Sequence, residues 1–268
     1  MKLQTTVDIS PASWQIGYED KILMLGSCFA DSMGEQMMQR GLNVTVNPFG
    51  TLYNPLSIAQ ALTMTEQPAL IEYDGLWHSM AHHGAFSRPG KEEAGQAVRA
   101  SIDTMQQALK EATVVIVTFG TAWVYEQAGR VVGNCHKLPE SSLTRRRLSV
   151  EEIVAAWQPI LNIYPDKHWL FTVSPIRHIR DGLHENQLSK ATLLQAVEQL
   201  GDYFPSYEIM LDELRDYRFY ADDLVHPSSL AINYIWERFA DTFCSTQTRN
   251  EMTLRLKQFK QSQHHPLH

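Results

Sequence analysis

The chain is short of the features that would place it in a membrane, in an oxidising compartment or on nucleic acid. No apolar run approaches the ~20 residues that cross a bilayer, and the opening residues, MKLQTTVDIS, lack the apolar core of a signal peptide. Cysteine is scarce and odd in number. Cys28, Cys135 and Cys244 lie far apart with no C-x-x-C pair, which fits reduced thiols better than a disulfide framework. Positive charge is not in excess: the formal net charge is -7, which argues against a phosphate backbone as partner. The one basic run, Arg145-Arg146-Arg147, reads as a solvated loop ahead of a helix, with a local anion contact as the other reading. Repeats, low-complexity tracts and flexible linkers are missing, so one domain over residues 1–268 is expected, with a helical tail after about 245. A G-x-x-x-x-G-K-[ST] phosphate loop is missing too, and no organic cofactor is expected. These absences lead to the expectation of a soluble cytoplasmic protein with no nucleic-acid or membrane partner. Nothing in the chain specifies an oligomeric state.

What is present is an α/β pattern. At 44 % hydrophobic, 268 residues suffice for a sizeable core. Ile22–Leu25, closed by Gly26, and Thr113–Phe119, closed by Gly120, are continuous apolar runs of the kind buried in parallel sheets. Further strands are expected over Leu42–Val46, His168–Val173 and Tyr207–Leu211. Helices are expected over Phe29–Arg40 with Gly41 as its C-cap, from Pro55 to about Met64, over Lys91–Glu111, from the Ser149/Glu152 capping box to about Asn162, over Glu185–Leu200, and from Pro227-Ser228 to Phe243. Met33, Met37 and Met38 fall at helical spacing and read as core contacts. Residues 68–90 read as irregular, and Tyr125–Val132 as a hairpin excursion. Strands alternating with helices argue for a parallel sheet covered on both faces. Ligands then bind at the carboxyl ends of the strands, on the edge where Gly26, Gly50, Gly120 and Ser174 are expected.

Two short stretches on that edge carry chemistry. Gly26-Ser27-Cys28 puts two nucleophile-capable residues on the turn from the first strand into a helix. Asp223-Leu224-Val225-His226 puts an acid three residues before an imidazole, just ahead of the last core helix. A nucleophile, a base and a group that orients the base are the parts of an acyl-transfer site. A thiol at a helix N-terminus near a histidine is expected to have a lowered pKa. Ser27 is either the nucleophile itself or the N-cap of the helix. His78 and His82 have the i, i+4 spacing of metal ligands, and His136 would complete a set. Gly75, Gly84 and Gly90 argue against a helix there, so structural or substrate-loop histidines are the favoured reading.

The blocks Gly-Ser-Cys-Phe-Ala at 26–30, NPFGTLYNP at 47–55, TFGTAW at 118–123, SPIRH at 174–178 and DDLVHPS at 222–228 resemble the GSCFA family, named for the first of them. The likeness covers roughly residues 20 to 245. That family is similar in turn to the SGNH (GDSL-type) hydrolases. The resemblance implies a three-layer α/β/α sandwich, flavodoxin-like, with a parallel sheet of about five strands in the order 2-1-3-4-5. It also implies hydrolysis or acyl transfer on an ester or thioester of a small metabolite or carbohydrate. In the SGNH register Cys28 takes the nucleophile position and Ser27 the place of an aspartate. Gly50 looks like the glycine whose N–H binds an oxyanion, with a left-handed turn as its other reading. Gly120-Thr121-Ala122 looks like the third block, and its asparagine is missing; Asn54 or Asn134 would substitute. Asp223 and His226 match the last block without a gap.

Asn134-Cys135-His136 is a polar cluster expected near the mouth of the site. Arg177 is expected to meet a carboxylate or phosphate of the substrate, or to form a salt bridge inside the fold. The expected function is therefore a hydrolase or acyltransferase using Cys28 (or Ser27), His226 and Asp223, with no metal. The alternatives are an inactive ligand-binding protein on the same scaffold, and a metal-dependent hydrolase built on the histidines.

Overall fold

The computed structural model describes residues 4–263; the ends of the expected 1–268 domain, residues 1–3 and 264–268, lie outside the described residues. Five strands pair in parallel: β1 (Lys21–Gly26), β2 (Asn43–Val46), β5 (Val114–Phe119), β9 (His168–Val173) and β10 (Asp202–Phe204). Their order across the sheet is β2-β1-β5-β9-β10. The expected 2-1-3-4-5 differs from this because five strands lie outside the central sheet. β3 (Leu70–Tyr73) and β4 (Leu76–Ser79) form a hairpin. β6 (Trp123–Gln127), β7 (Arg130–Val132) and β8 (Thr144–Arg147) form a three-stranded antiparallel sheet.

Side chains of a strand point alternately to its two faces, and both faces here are apolar. Leu23, Leu25, Val115, Val117, Phe119, Trp169, Phe171 and Val173 join one core. Ile22, Met24, Val114, Ile116 and Leu170 join another on the opposite face. The first core is covered by α2 (Pro55–Thr63), α3 (Lys91–Glu111), α4 (Val150–Ile163) and α5 (Leu183–Val197). At its centre is Trp157, wholly buried, packed edge-on to Phe119 and Phe171, its Nε1 donating to the Pro55 carbonyl at 3.1 Å. The second core is covered by α1 (Cys28–Gln39), α7 (Ser229–Phe243) and α8 (Thr246–Gln263), while Tyr207 of the one-turn α6 (Ser206–Glu208) joins the first. The structure is thus α/β, a five-stranded parallel sheet between two helical layers. No helix of the described residues is long and apolar enough to cross a membrane.

Four local expectations are corrected. Tyr207–Leu211 is not a strand: the edge strand is Asp202–Phe204, and the chain then turns through α6 into a π-helical turn at Ile209–Glu213. Residues 68–90 are not wholly irregular, since Asp74-Gly75, both at positive φ, close the β3–β4 hairpin. The arginine run is not a solvated loop but strand β8. It pairs with β6, and its charges meet Asp181, Glu126, Glu152 and Glu185. Met38 is half exposed, whereas Met33 and Met37 are buried.

Along the chain the sheet grows from β1 outward to β2, then crosses back to β5 and continues to β10. The direction reverses between β1 and β5, so the crevice at their carboxyl ends is the topological switch point.

Candidate active site

The turn from β1 into α1 is built around Gly26, whose φ of +131° suits a residue without a side chain. A Cβ there would lie 2.1 Å from the Thr118 carbonyl oxygen of β5. The turn is stapled to the loop after β2. Gly26 N–H donates to Asn47 Oδ1 at 2.8 Å, and Leu52 N–H to the Gly26 carbonyl at 3.0 Å. Asn47 Nδ2 and Thr51 Oγ1 in turn donate to the two oxygens of Asp31.

This architecture separates the two nucleophile candidates. Ser27 is fully buried and N-caps α1, its Oγ accepting from Phe29 N–H at 3.3 Å. Cys28 is half buried and lines a cavity of about 520 Å³ at the carboxyl edge. Its thiol pKa is raised, first by burial and then by the Asp31 charge, with the Cys28 and Phe29 amides and Lys190 acting the other way. The expected lowering by the helix N-terminus is therefore overturned: desolvation outweighs the amide dipoles. A thiol in this state reacts through a base.

The D-x-x-H turn supplies one to the same cavity. Asp223 Oδ1 accepts from the Val225 and His226 amides at 2.8 and 2.9 Å, while Oδ2 lies 2.6 Å from His226 Nδ1. Those two amides, then the imidazole, hold the Asp223 carboxyl down at about 2. An ionised Asp223 accepts only, so the proton of a neutral His226 belongs on Nδ1 and the lone pair on Nε2. His226 lines the cavity with Cys28. Arg177 braces this turn: its amide donates to the Val225 carbonyl and its Nη1 to the Leu224 carbonyl. The guanidinium faces Tyr217 and Tyr220, and among the described residues it meets no carboxylate, so the internal salt bridge does not form.

The other expected site residues divide. Asn134 and Cys135 line the cavity; His136 does not, being buried with its Nε2 at 2.8 Å from the Ser79 carbonyl. Asn54 lines the cavity as the N-cap of α2, with both ends of its amide bonded to Ser57. Gly50 is a turn glycine at φ +74°, and its N–H is committed to the Asn47 carbonyl at 2.7 Å. The expected oxyanion role of Gly50 is corrected on that ground. The Gly120 and Thr121 amides are committed likewise, to the Tyr53 carbonyl. His78 Nδ1 and Nε2 are taken by Ser87 and Tyr73, and His82 Nδ1 by Ser79. Among the described residues no three His, Cys, Asp or Glu side chains gather as a metal-ligand set, against the metal alternative.

One face of α5 holds residues that sequence reasoning passed over. Asn186 Oδ1 accepts from the His178 amide, Ser189 Oγ from the Ala122 amide, and Lys190 Nζ donates to the Gly120 and Ser174 carbonyls, each at 2.7 Å. Spaced i, i+3, i+4 and all buried, they pin the loops after β5 and β9. His178, at the end of one loop, lines the cavity. Burial and then the Lys190 charge push its pKa down to about 3, and its Nε2 has no hydrogen-bond partner among the described residues. Beyond these, the far wall comes from the β6–β8 sheet: Trp123, Tyr125 and Arg145, whose guanidinium packs over both rings and pairs with Asp181.

Fold and site together define a doubly covered parallel α/β protein with a thiol and a histidine–aspartate pair facing one crevice at the switch point. The chain belongs to the GSCFA family, whose sequence profile matches residues 21–239. No curated protein matches it.

Proposed function

We propose that this protein is an acyl-transfer enzyme on an SGNH-like scaffold, acting on an ester or thioester of a small metabolite or carbohydrate. The observation that carries the reading is the sharing of one cavity by Cys28 and the Asp223-oriented His226. His226 Nε2 takes the thiol proton as Cys28 Sγ attacks the acyl carbon. The carbonyl electrons move to oxygen. When they return, the bond to the leaving group breaks, and His226 gives its proton to the departing oxygen or sulfur. Water, or another alcohol, then attacks the thioester by the reverse sequence.

The developing oxyanion has two donors in reach of this geometry. One is the Cys28 amide, which as the first helical N–H has no partner within the helix. The other is the Asn134 side chain on the opposite wall, whose Oδ1 is occupied by the His136 amide. Asn54 is spent on its cap. Arg177 and Arg180, both at the cavity, suit an anionic group on the substrate.

The experiment is a burst assay with p-nitrophenyl acetate followed by intact-mass analysis. A single acetyl adduct is expected in wild type and Ser27→Ala, and none in Cys28→Ala or His226→Ala. Loss of the adduct in Ser27→Ala with retention in Cys28→Ala refutes the thiol assignment. A second reading, a ligand-binding protein without turnover, is favoured by one observation: Ala122, fully buried, stands where the SGNH pattern has its oxyanion asparagine. Wild type that forms no adduct supports that reading instead.

A further inference from the structure

Lys190 sits on α5 with 1 % of its surface exposed. Its ammonium donates to two carbonyls, Gly120 at the tip of β5 and Ser174 at the tip of β9, and the Tyr207 ring lies 5.6 Å away. Among the described residues no carboxylate pairs with it, and the Cys28 charge acts to keep it protonated. A buried cation without an anion is a costly way to join two carbonyls, since an amide would do so without desolvating a charge. The place where it is buried gives it a use. Gly120, which it holds, packs directly on the nucleophile turn: a Cβ on Gly120 would lie 3.4 Å from Ser27 Cβ.

We propose that Lys190 is a positioning residue for the Cys28 reaction, a fixed cation under the nucleophile turn that stabilises the anion formed when Cys28 gives up its proton. This rests on Cys28 as the nucleophile of the proposed reaction. The groups acting on the thiol from the elements around it leave Lys190 as the cation for this task. Asp31, on α1, opposes the anion. Tyr53, on the loop after β2, has a pKa raised by burial and stays neutral. His178, on the loop after β9, is held neutral by burial and by Lys190 itself. His226 is the proton acceptor of the step, and Arg145, Arg177 and Arg180 stand on the cavity walls, so Lys190 is the cation beneath the turn itself. Burial brings the Lys190 ammonium down to about 7, and the Cys28 charge acts in the direction that keeps it protonated. Below that pH, proton transfer from Cys28 to His226 leaves the Lys190 proton in place, so the cation persists through the step.

The test is the pH dependence of Cys28 alkylation by iodoacetamide, read at the Cys28 peptide by mass spectrometry, in wild type, Lys190→Gln and Lys190→Met. Below about pH 7, where Lys190 carries its proton, both variants are expected to slow alkylation about three- to ten-fold, and the difference from wild type is expected to close at higher pH as wild-type Lys190 loses its charge. A structural strut alone would change the rate by the same factor at every pH, and a ratio to wild type that does not vary across pH 7 in a folded variant overturns the proposal. Coupling between two sites is reciprocal, which gives a second measurement that leaves Lys190 untouched. In Cys28→Asp, which places an anion at the thiolate position at neutral pH, the Lys190 titration, followed by NMR of isotopically labelled lysine, is expected to move up; no movement overturns the proposal independently of any defect at Lys190. Neither readout uses turnover. Coupling without acetylation would therefore sink the function and not the pair, and acetylation without coupling the reverse.

Discussion

Replacing Gly26 with alanine tests whether the nucleophile turn is built by close approach of two strands. Gly26 is in register with Thr118, and an added methyl carbon would lie 2.1 Å from the Thr118 carbonyl oxygen. An ordinary non-bonded contact is about 3.5 Å, so more than an ångström must be found. It must come from backbone, because the clashing atom is backbone in the β1–β5 ladder. Overpacking of this kind costs about 1–3 kcal/mol. The φ of +131° adds roughly 1–3 kcal/mol once a side chain is present. The sum is about 4 kcal/mol. With a urea m-value of about 3 kcal/mol per M for a chain of this size, the midpoint falls by about 1.3 M. Urea unfolding followed by far-UV circular dichroism measures it, with Gly75→Ala as the comparison, since Gly75 also has positive φ but open space around it. If Gly26→Ala loses no more than Gly75→Ala, the close-approach argument is wrong and only backbone strain remains.

Three further outcomes follow from the same geometry. Ser27→Ala removes the N-cap of α1 and is expected to cost about 1 kcal/mol in urea unfolding; no loss at all would mean that the cap contributes nothing. Asp223→Asn keeps an oxygen for the Val225 and His226 amides but removes the ionised partner of His226 Nδ1, so acetylation of Cys28 is expected to fall on the order of 100-fold with little change in stability. An unaltered rate would remove Asp223 from the site. Burial pushes His82 from 6.5 to about 4, with His136 and His178 displaced in the same direction. The unfolded chain then binds more protons between those values, so stability falls as pH drops from 6.5 toward 4, by about 3 kcal/mol from His82 alone. Urea midpoints across that range check it, and His82→Phe should flatten the slope; a slope identical to wild type refutes the assignment.

What the sequence discloses here depends on whether the deciding interaction is local. β1, β5 and β9 are runs buried on both faces, and composition alone marks them. The Ser149/Glu152 capping box and the Pro55 helix start are also local, and both occur as expected. The D-x-x-H turn is legible because its hydrogen bonds close within four residues. The edge strand is not: Asp202–Phe204 is three residues long, while Tyr207–Leu211 has the better strand composition and is carried into helical turns by packing. Arg145–Arg147 carries three charges and still forms a strand, because four carboxylates from distant segments meet them. Asp74-Gly75 was a readable hairpin signal between LIEY and LWHS. Lys190 offered none. A lysine in a helix reads as solvated, and its acceptors are carbonyls 70 and 16 residues away.

The crevice straddles the two layers of the molecule. Asn54 opens α2, one of the helices over the first core, whereas Cys28, Ile176 and Val225 pack on the core under α1 and α7. The central sheet is shared by the two cores, and the crevice opens at its rim. A ligand touching both walls would act as a rivet, adding a second joint where the fold has one. Its binding energy would then appear as resistance of the whole chain to unfolding, about 2.7 kcal/mol at a hundredfold excess over its dissociation constant. A melting screen across small esters, thioesters and sugars can thus find what this crevice holds before any turnover is seen.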